Sequence, residues 1–304
     1  MVEKPKSTVS LLVSLLVLAM ASGYSDKSVM PELPEVETVM RGLAARLQHR
    51  HIASASLARA DLRWQVPDGF VQAIVGARVD GFRRRGKYMF MQLDRGMSVL
   101  IHLGMSGRMT IDRETLLHQH LTLTTNDGGT IGFVDPRRFG ALDLVATADE
   151  HTHRLILNLG PEPLEASFTA RVLATGLAGK ATPIKSALLD QSVVAGLGNI
   201  YVSEALFRAA ISPFRLAGSL TTTELKKLTA AIKTTLTEAI AAGGSSLRDY
   251  AQPSGEIGYF QHAWKVYGRT GQPCEHCPGP PHCPGIERTT QSNRSTYWCS
   301  RRQR

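Results

Sequence analysis

The hydrophobic rhythm of this chain changes once, around Asn158-Leu159-Gly160-Pro161-Glu162-Pro163, and that change constrains its fold more than any other feature. Before it, apolar runs have strand length: Tyr88 to Leu93, Ser98 to Leu103, and Leu121-Thr122-Leu123-Thr124, which leads through Asn126-Asp127-Gly128-Gly129 into Thr130 to Val134. This pattern predicts a mostly antiparallel β domain over residues 30–145, opened by a helix carrying Val36, Val39, Met40, Leu43 and Leu47 at helical spacing. The proline- and glycine-punctuated stretch reads as the end of a linker, 146–163. Beyond it the pattern is helical. Ile184 to Leu189 and Ile200 to Ala210 flank a tight turn, Ala195-Gly196-Leu197-Gly198-Asn199. Thr221 and Glu224 form a capping box for a helix with Leu225, Leu228, Ile232, Leu236 and Ile240 on one face, closed by Gly243-Gly244. The expected class is therefore α+β, with more than one domain.

At 304 residues, 43% hydrophobic and 20% charged, the chain has material for a sizeable core. A net charge of +9 favours a polyanionic partner, either nucleic acid or an anionic membrane surface. All four cysteines lie between Cys274 and Cys299, a clustering that points to a local metal site rather than a distributed disulfide framework. Residues 1–29 differ from the rest. Lys4 and Lys6 precede the apolar run Leu11 to Met20 and then Ala21-Ser22-Gly23, a signal-peptide pattern too short for a spanning helix. We read this stretch as an upstream extension, misassigned or processed, of a cytoplasmic protein without a stable membrane partner.

Met30-Pro31-Glu32-Leu33-Pro34-Glu35-Val36-Glu37 has two readings. The simpler is a helix opening, since proline suits the first turn and acids suit the positive end of the dipole. The other is a true start at Met30. Removal of that methionine would leave Pro31 with a free secondary amine, nucleophilic near neutrality and adjacent to a carboxylate. Within a longer chain the same nitrogen is an inert amide.

Several further motifs occur in order: Arg85-Gly86-Lys87-Tyr88, His102-Leu103-Gly104-Met105-Ser106-Gly107, Asp135-Pro136-Arg137-Arg138-Phe139-Gly140, Gly198-Asn199-Ile200-Tyr201 and Val266-Tyr267-Gly268-Arg269. Together with Pro31-Glu32-Leu33-Pro34-Glu35, they resemble the bacterial formamidopyrimidine-DNA glycosylases from about residue 30 to the C-terminus. The resemblance implies an N-terminal β-sandwich, a helix–two-turn–helix domain over 164–262 with a lesion-capping loop, and a β-hairpin zinc finger over 263–304. It implies a monomer acting on damaged double-stranded DNA. Pro31 would attack C1′ of an oxidised purine nucleoside, with Glu32 as general acid/base and Lys87 serving strand cleavage. Arg294 would support the second elimination.

An enzyme that extrudes a base must fill the hole left behind. Met105, Arg137 and Phe139 match the family residues that do so. Asn199, with the amides of its glycine-rich turn, His118 and Lys180 match DNA contacts, and Lys185 matches a lysine near the lesion. The stretch Ala251 to Trp264 resembles the loop that closes over a flipped base.

The finger departs from the family. Cys274-Glu275-His276-Cys277 supplies one pair and Cys299 a third ligand, but Arg302 stands where the fourth cysteine belongs and cannot bind zinc. The 21 intervening residues contain His282 and Cys283, either of which could complete a structural zinc site. Two other functions stay open: a related glycosylase for oxidised pyrimidines, and a non-catalytic damaged-DNA binder if Pro31 is never exposed.

Overall fold

The computed structural model describes residues 30–245 and 258–304, so the extension 1–29 lies outside the described residues. Helix α1, Leu33–Leu47, starts with proline in its first turn, and the Glu35 carboxylate accepts the Glu32 N–H at 2.9 Å. Its faces serve two cores. Val36, Val39, Leu43 and Leu47 pack into a β-sandwich, whereas Leu33 is buried in the helical domain and donates its N–H to Gly196 O at 3.0 Å.

The sandwich has two four-stranded antiparallel sheets. One orders β1 (Ile52–Leu57), β6 (Gln119–Thr125), β7 (Thr130–Val134) and β5 (Arg108–Ile111). The other orders β2 (Val79–Arg85), β3 (Tyr88–Leu93), β4 (Met97–His102) and β8 (Ala141–Ala146). Met89, Met91, Val99 and Ile101 face the other sheet, where Leu121, Leu123, Ile131 and Phe133 meet them. Phe90 and Leu100 point outward against Ile156. Part of the expected linker thus covers the outer face of β3 and β4, which explains why these strands are continuous apolar runs rather than alternating ones.

A short helix α2, Phe70–Ile74, bridges β1 and β2. The helical domain comprises α3 (Ala170–Leu177), α4 (Ile184–Leu189), α5 (Asn199–Ala209) and α6 (Thr222–Ala241). The predicted capping box opens α6: Thr221 Oγ1 accepts the Glu224 N–H while Glu224 accepts the Thr221 N–H. Strands β9 (Glu287–Gln291) and β10 (Arg294–Trp298) form the C-terminal hairpin. Its turn residues, Ser292 and Asn293, both have positive φ, as a tight hairpin turn requires. The hairpin has too little core of its own; Tyr297, Ile286 and Cys299 are buried in the helical domain's cluster. Among the described residues, no helix is long and apolar enough to cross a membrane.

Candidate active site

A cleft of about 670 Å³ opens where sandwich, helical domain and hairpin meet, lined by Met30, Glu32, Lys87, Asn199 and Arg294 among others. The seam-crossing start of α1 puts Glu32 there. Its carboxylate, 2% exposed, accepts the backbone N–H of Ile200 at 2.9 Å and of Tyr201 at 3.3 Å at the start of α5. A helix N-terminus suits an anion, which offsets part of the cost of burial. Gly198 makes this approach possible, because a Cβ there would lie 2.3 Å from Glu32 Cδ. Burial still raises the Glu32 pKa, against the pull of Lys87 and the amides.

Behind Glu32, buried Glu35 accepts the Tyr201 hydroxyl at 2.5 Å and the Ser245 N–H at 2.8 Å. Its pKa is raised to about 7, first by burial and then by the charge of Glu32.

Lys87 reaches the cleft from the turn between β2 and β3. The basic run before it is not a solvated face: Arg84 and Arg85 bind the buried Glu162 at 2.8 and 3.0 Å, and Glu162 also accepts the Gly86 N–H. That network fixes the turn and aims Lys87. Burial depresses the lysine's pKa, Glu32 opposes the shift, and Arg294 adds to it. Arg294 itself is exposed at the start of β10.

Pro31 is buried behind the cleft wall, and Met30, joined to its nitrogen, lines the cleft instead. With Met30 attached, the Pro31 nitrogen is an amide, and Met30 takes the place on the cleft wall.

A second cavity, about 660 Å³, shares Met30, Arg63 and Met105 with the first and is also lined by Arg137 and Phe139. Phe139 is 41% exposed, and the Arg137 guanidinium stacks 4.8 Å from its ring centroid. The three proposed void-filling residues are therefore neighbours around a cavity that Met30 also lines, although they come from two loops.

The other matched positions are less uniform. Asn199 donates from Nδ2 to Ser295 O at 2.9 Å, while its buried Oδ1 has no partner among the described residues. His118 is exposed on the β5–β6 connection, and half-buried Lys180 lies 3.8 Å from Asp190; neither lines the two cavities. Lys185, matched to a lysine near the lesion, is not on the protein surface. It is fully buried, with Nζ donating to Ser295 O at 3.0 Å and Thr296 Oγ1 at 2.9 Å, because the C-terminal hairpin is laid over α4. The loop expected over Ala251 to Trp264 lies outside the described residues up to 257; from Phe260 to Ala263 the chain forms one 3₁₀ turn.

Several cleft residues carried no weight in the sequence reading: Arg63, Tyr88, His102, Tyr267 and Arg288. His102 stacks on Tyr88 at 4.6 Å, and its pKa falls to about 3, chiefly through burial and then through Lys87 and Arg63, so the ring is neutral. Tyr88, His102 and Tyr267 belong to motifs that could have flagged them. Arg63 and Arg288 had no local signal.

In the finger, the Sγ atoms of Cys274, Cys277 and Cys299 lie 3.2, 3.5 and 3.7 Å apart. Four thiolates around zinc at ~2.3 Å would sit roughly 3.8 Å from one another, so this buried trio fits a metal-binding group. Half-buried Cys283 touches Cys277. Arg302 turns away from the trio: it donates to Phe207 O at 3.0 Å and stacks 4.8 Å over the Phe207 ring, capping α5.

Residues 30–142 match the formamidopyrimidine-DNA glycosylase N-terminal domain and residues 159–251 the H2TH domain of the same enzymes. The formamidopyrimidine-DNA glycosylase of Acidiphilium cryptum is 72% identical over 275 residues, covering 90% of this chain and all of the relative. A crystal structure of the MutM (Fpg) protein from Thermus thermophilus superposes with a TM-score of 0.80 at 40% identity, over 90% of this chain and 98% of that one. The Lactococcus lactis Fpg in complex with abasic-site DNA gives 0.81 at 33% identity, over 90% and 99%. With these relatives, the fold and cleft define a DNA-repair glycosylase. The chain belongs to the formamidopyrimidine-DNA glycosylase family.

Proposed function

We propose that this protein, once its chain begins at Pro31, excises oxidised purines such as 8-oxoguanine and formamidopyrimidines from duplex DNA and then cleaves the strand. The observation that carries this reading is the convergence of Glu32, Lys87, Arg294 and the residue on the Pro31 nitrogen in one cleft. The free Pro31 amine attacks C1′, the sugar ring opens, and the base leaves with a proton. The resulting iminium draws electrons from the C2′–H bond, expelling the 3′ phosphate, and a second elimination expels the 5′ phosphate. Glu32, whose proton affinity is raised by burial, is the general acid/base on the opening sugar. Lys87, whose proton affinity is lowered by burial, does the acid/base work of strand cleavage. Met105, Arg137 and Phe139 replace the extruded base, apolar wedges filling the stack and the guanidinium facing the orphaned partner. Asn199 holds phosphate, and His118 and Lys180 make further DNA contacts. The protein acts as a cytoplasmic monomer.

The test is borohydride trapping on a duplex bearing 8-oxoguanine opposite cytosine, with the chain started either at Pro31 or at Met1. An adduct on Pro31 with the first chain and none with the second is expected. Trapping only on abasic DNA would move the lesion class to oxidised pyrimidines, and binding without any adduct would make the protein a damage binder.

We further propose one structural zinc ion held by Cys274, Cys277 and Cys299, with Cys283 as the fourth ligand. Contact with Cys277 supports Cys283 over the exposed His282. Metal analysis should find one zinc per chain, lost or weakened in Cys283→Ser and retained in His282→Ala. The reverse pattern would assign the histidine.

A further inference from the structure

Asp135 is fully buried, and its carboxylate reaches across to a loop 29 residues away in sequence: it accepts the Ser106 hydroxyl at 2.5 Å and the Gly140 N–H at 2.7 Å. Ser106 Oγ accepts in turn from the Arg137 N–H at 3.2 Å. The main chain of the same aspartate donates to His118 O at 3.0 Å, and its carbonyl receives the Arg138 N–H at 3.2 Å. Three loops thus close on one residue: Leu103 to Gly107 with Met105, the β5–β6 connection ending at His118, and Asp135 to Gly140 with Arg137 and Phe139. The first and third also touch by backbone, for a Cβ on Gly104 would lie 2.4 Å from the Phe139 carbonyl.

An aspartate that merely shaped its own turn would need only the Gly140 amide. The bond to Ser106 does something else: it ties the Met105 loop to the Arg137 loop. Inserting side chains into a duplex works against base stacking, which costs a few kcal/mol per step. Loops that slid apart under that load would deliver the side chains one at a time and out of register. We infer that Asp135, acting through Ser106, is the positioning residue that holds Met105, Arg137 and Phe139 as a single wedge. This rests on the proposed void-filling role of those three.

The test uses the full chain starting at Pro31 and compares Asp135→Asn, Ser106→Ala, their double variant and Met105→Ala. Three readouts are followed: single-turnover excision of 8-oxoguanine from duplex, fluorescence of 2-aminopurine placed next to the lesion, and cleavage of a single-stranded abasic oligonucleotide, which needs no wedge. Asp135→Asn and Ser106→Ala are expected to slow duplex excision about 10- to 100-fold through kcat and to delay the fluorescence step. Single-strand cleavage should stay within about twofold, and the double variant should be no slower than the worse single one. The inference is overturned if both variants excise at the parental rate, or if duplex and single-strand reactions fall together. Should Asp135→Asn fail to fold, Ser106→Ala decides alone. If Met105→Ala leaves excision and fluorescence unchanged, the wedge reading fails and takes the inference with it. If Met105→Ala abolishes the fluorescence step while Ser106→Ala does not, only the positioning role fails.

Discussion

Glu32 and Glu35 lie one helical turn apart, both buried, yet their surroundings separate their roles. Glu32 faces the cleft and leans on the amides of α5; Glu35 faces inward, against Tyr201 and Ser245. Burial disfavours charge on Glu35, so the protonated fold is the more stable one. Its contribution is complete below the ordinary value of 4.5 and is lost as pH rises through about 7. Glu35→Gln cannot ionise. The unfolding stability of the parent relative to this variant, followed by urea denaturation, should therefore fall by on the order of 2–3 kcal/mol between pH 4.5 and 8. A difference that stayed flat with pH would show that Glu35 ionises as an ordinary surface carboxylate. Activity should carry the same signature, since a charge on Glu35 raises the proton affinity of Glu32 next to it.

The C-terminal hairpin shows how a small element is held without a core of its own. One end is anchored by the cysteine trio and by Arg302 on the last carbonyls of α5. The other is anchored by Lys185, whose ammonium sits under β10 next to the residue that follows Arg294. Lys185→Met fills the same space but removes the donor to Thr296 Oγ1 and leaves Ser295 O with Asn199 Nδ2 alone, at a cost of about 1–3 kcal/mol. We expect the hairpin to become protease-sensitive and the KM for lesion DNA to rise several-fold, with borohydride trapping at saturating DNA retained. Loss of trapping at saturating DNA would instead place Lys185 in the chemistry. Its family-like position had suggested DNA contact; the structure makes it a tie between α4 and the element that carries Arg294.

At the scale of the molecule, the two domains share α1, and Leu33 is the residue that locks them: wholly buried in the helical core, one position after Glu32. Leu33→Ala should cost about 2–5 kcal/mol and loosen the seam as it does so. Lowered thermal stability together with slower excision is expected, and a stability loss with unaltered excision would show that the seam does not set the position of Glu32. Much of this architecture was legible from local pattern. The α6 capping box and four of the sandwich strands, β3, β4, β6 and β7, depend on residues within a few positions of one another, so periodicity and turn chemistry reported them, whereas the hairpin followed from the family resemblance. Motifs in order also marked Pro31, Glu32, Lys87 and Arg294. What periodicity could not show are the contacts made across the chain: Glu162 gripping Arg84 and Arg85 from 78 and 77 residues away, and Lys185 held by Thr296 from 111. The residue types and their order determined the family and much of the element pattern. Which lysine is buried under the hairpin, which aspartate bonds two loops and what lies against the Pro31 nitrogen were decided only by tertiary packing, because burial and hydrogen-bond partners are properties of the folded arrangement and not of neighbours in sequence.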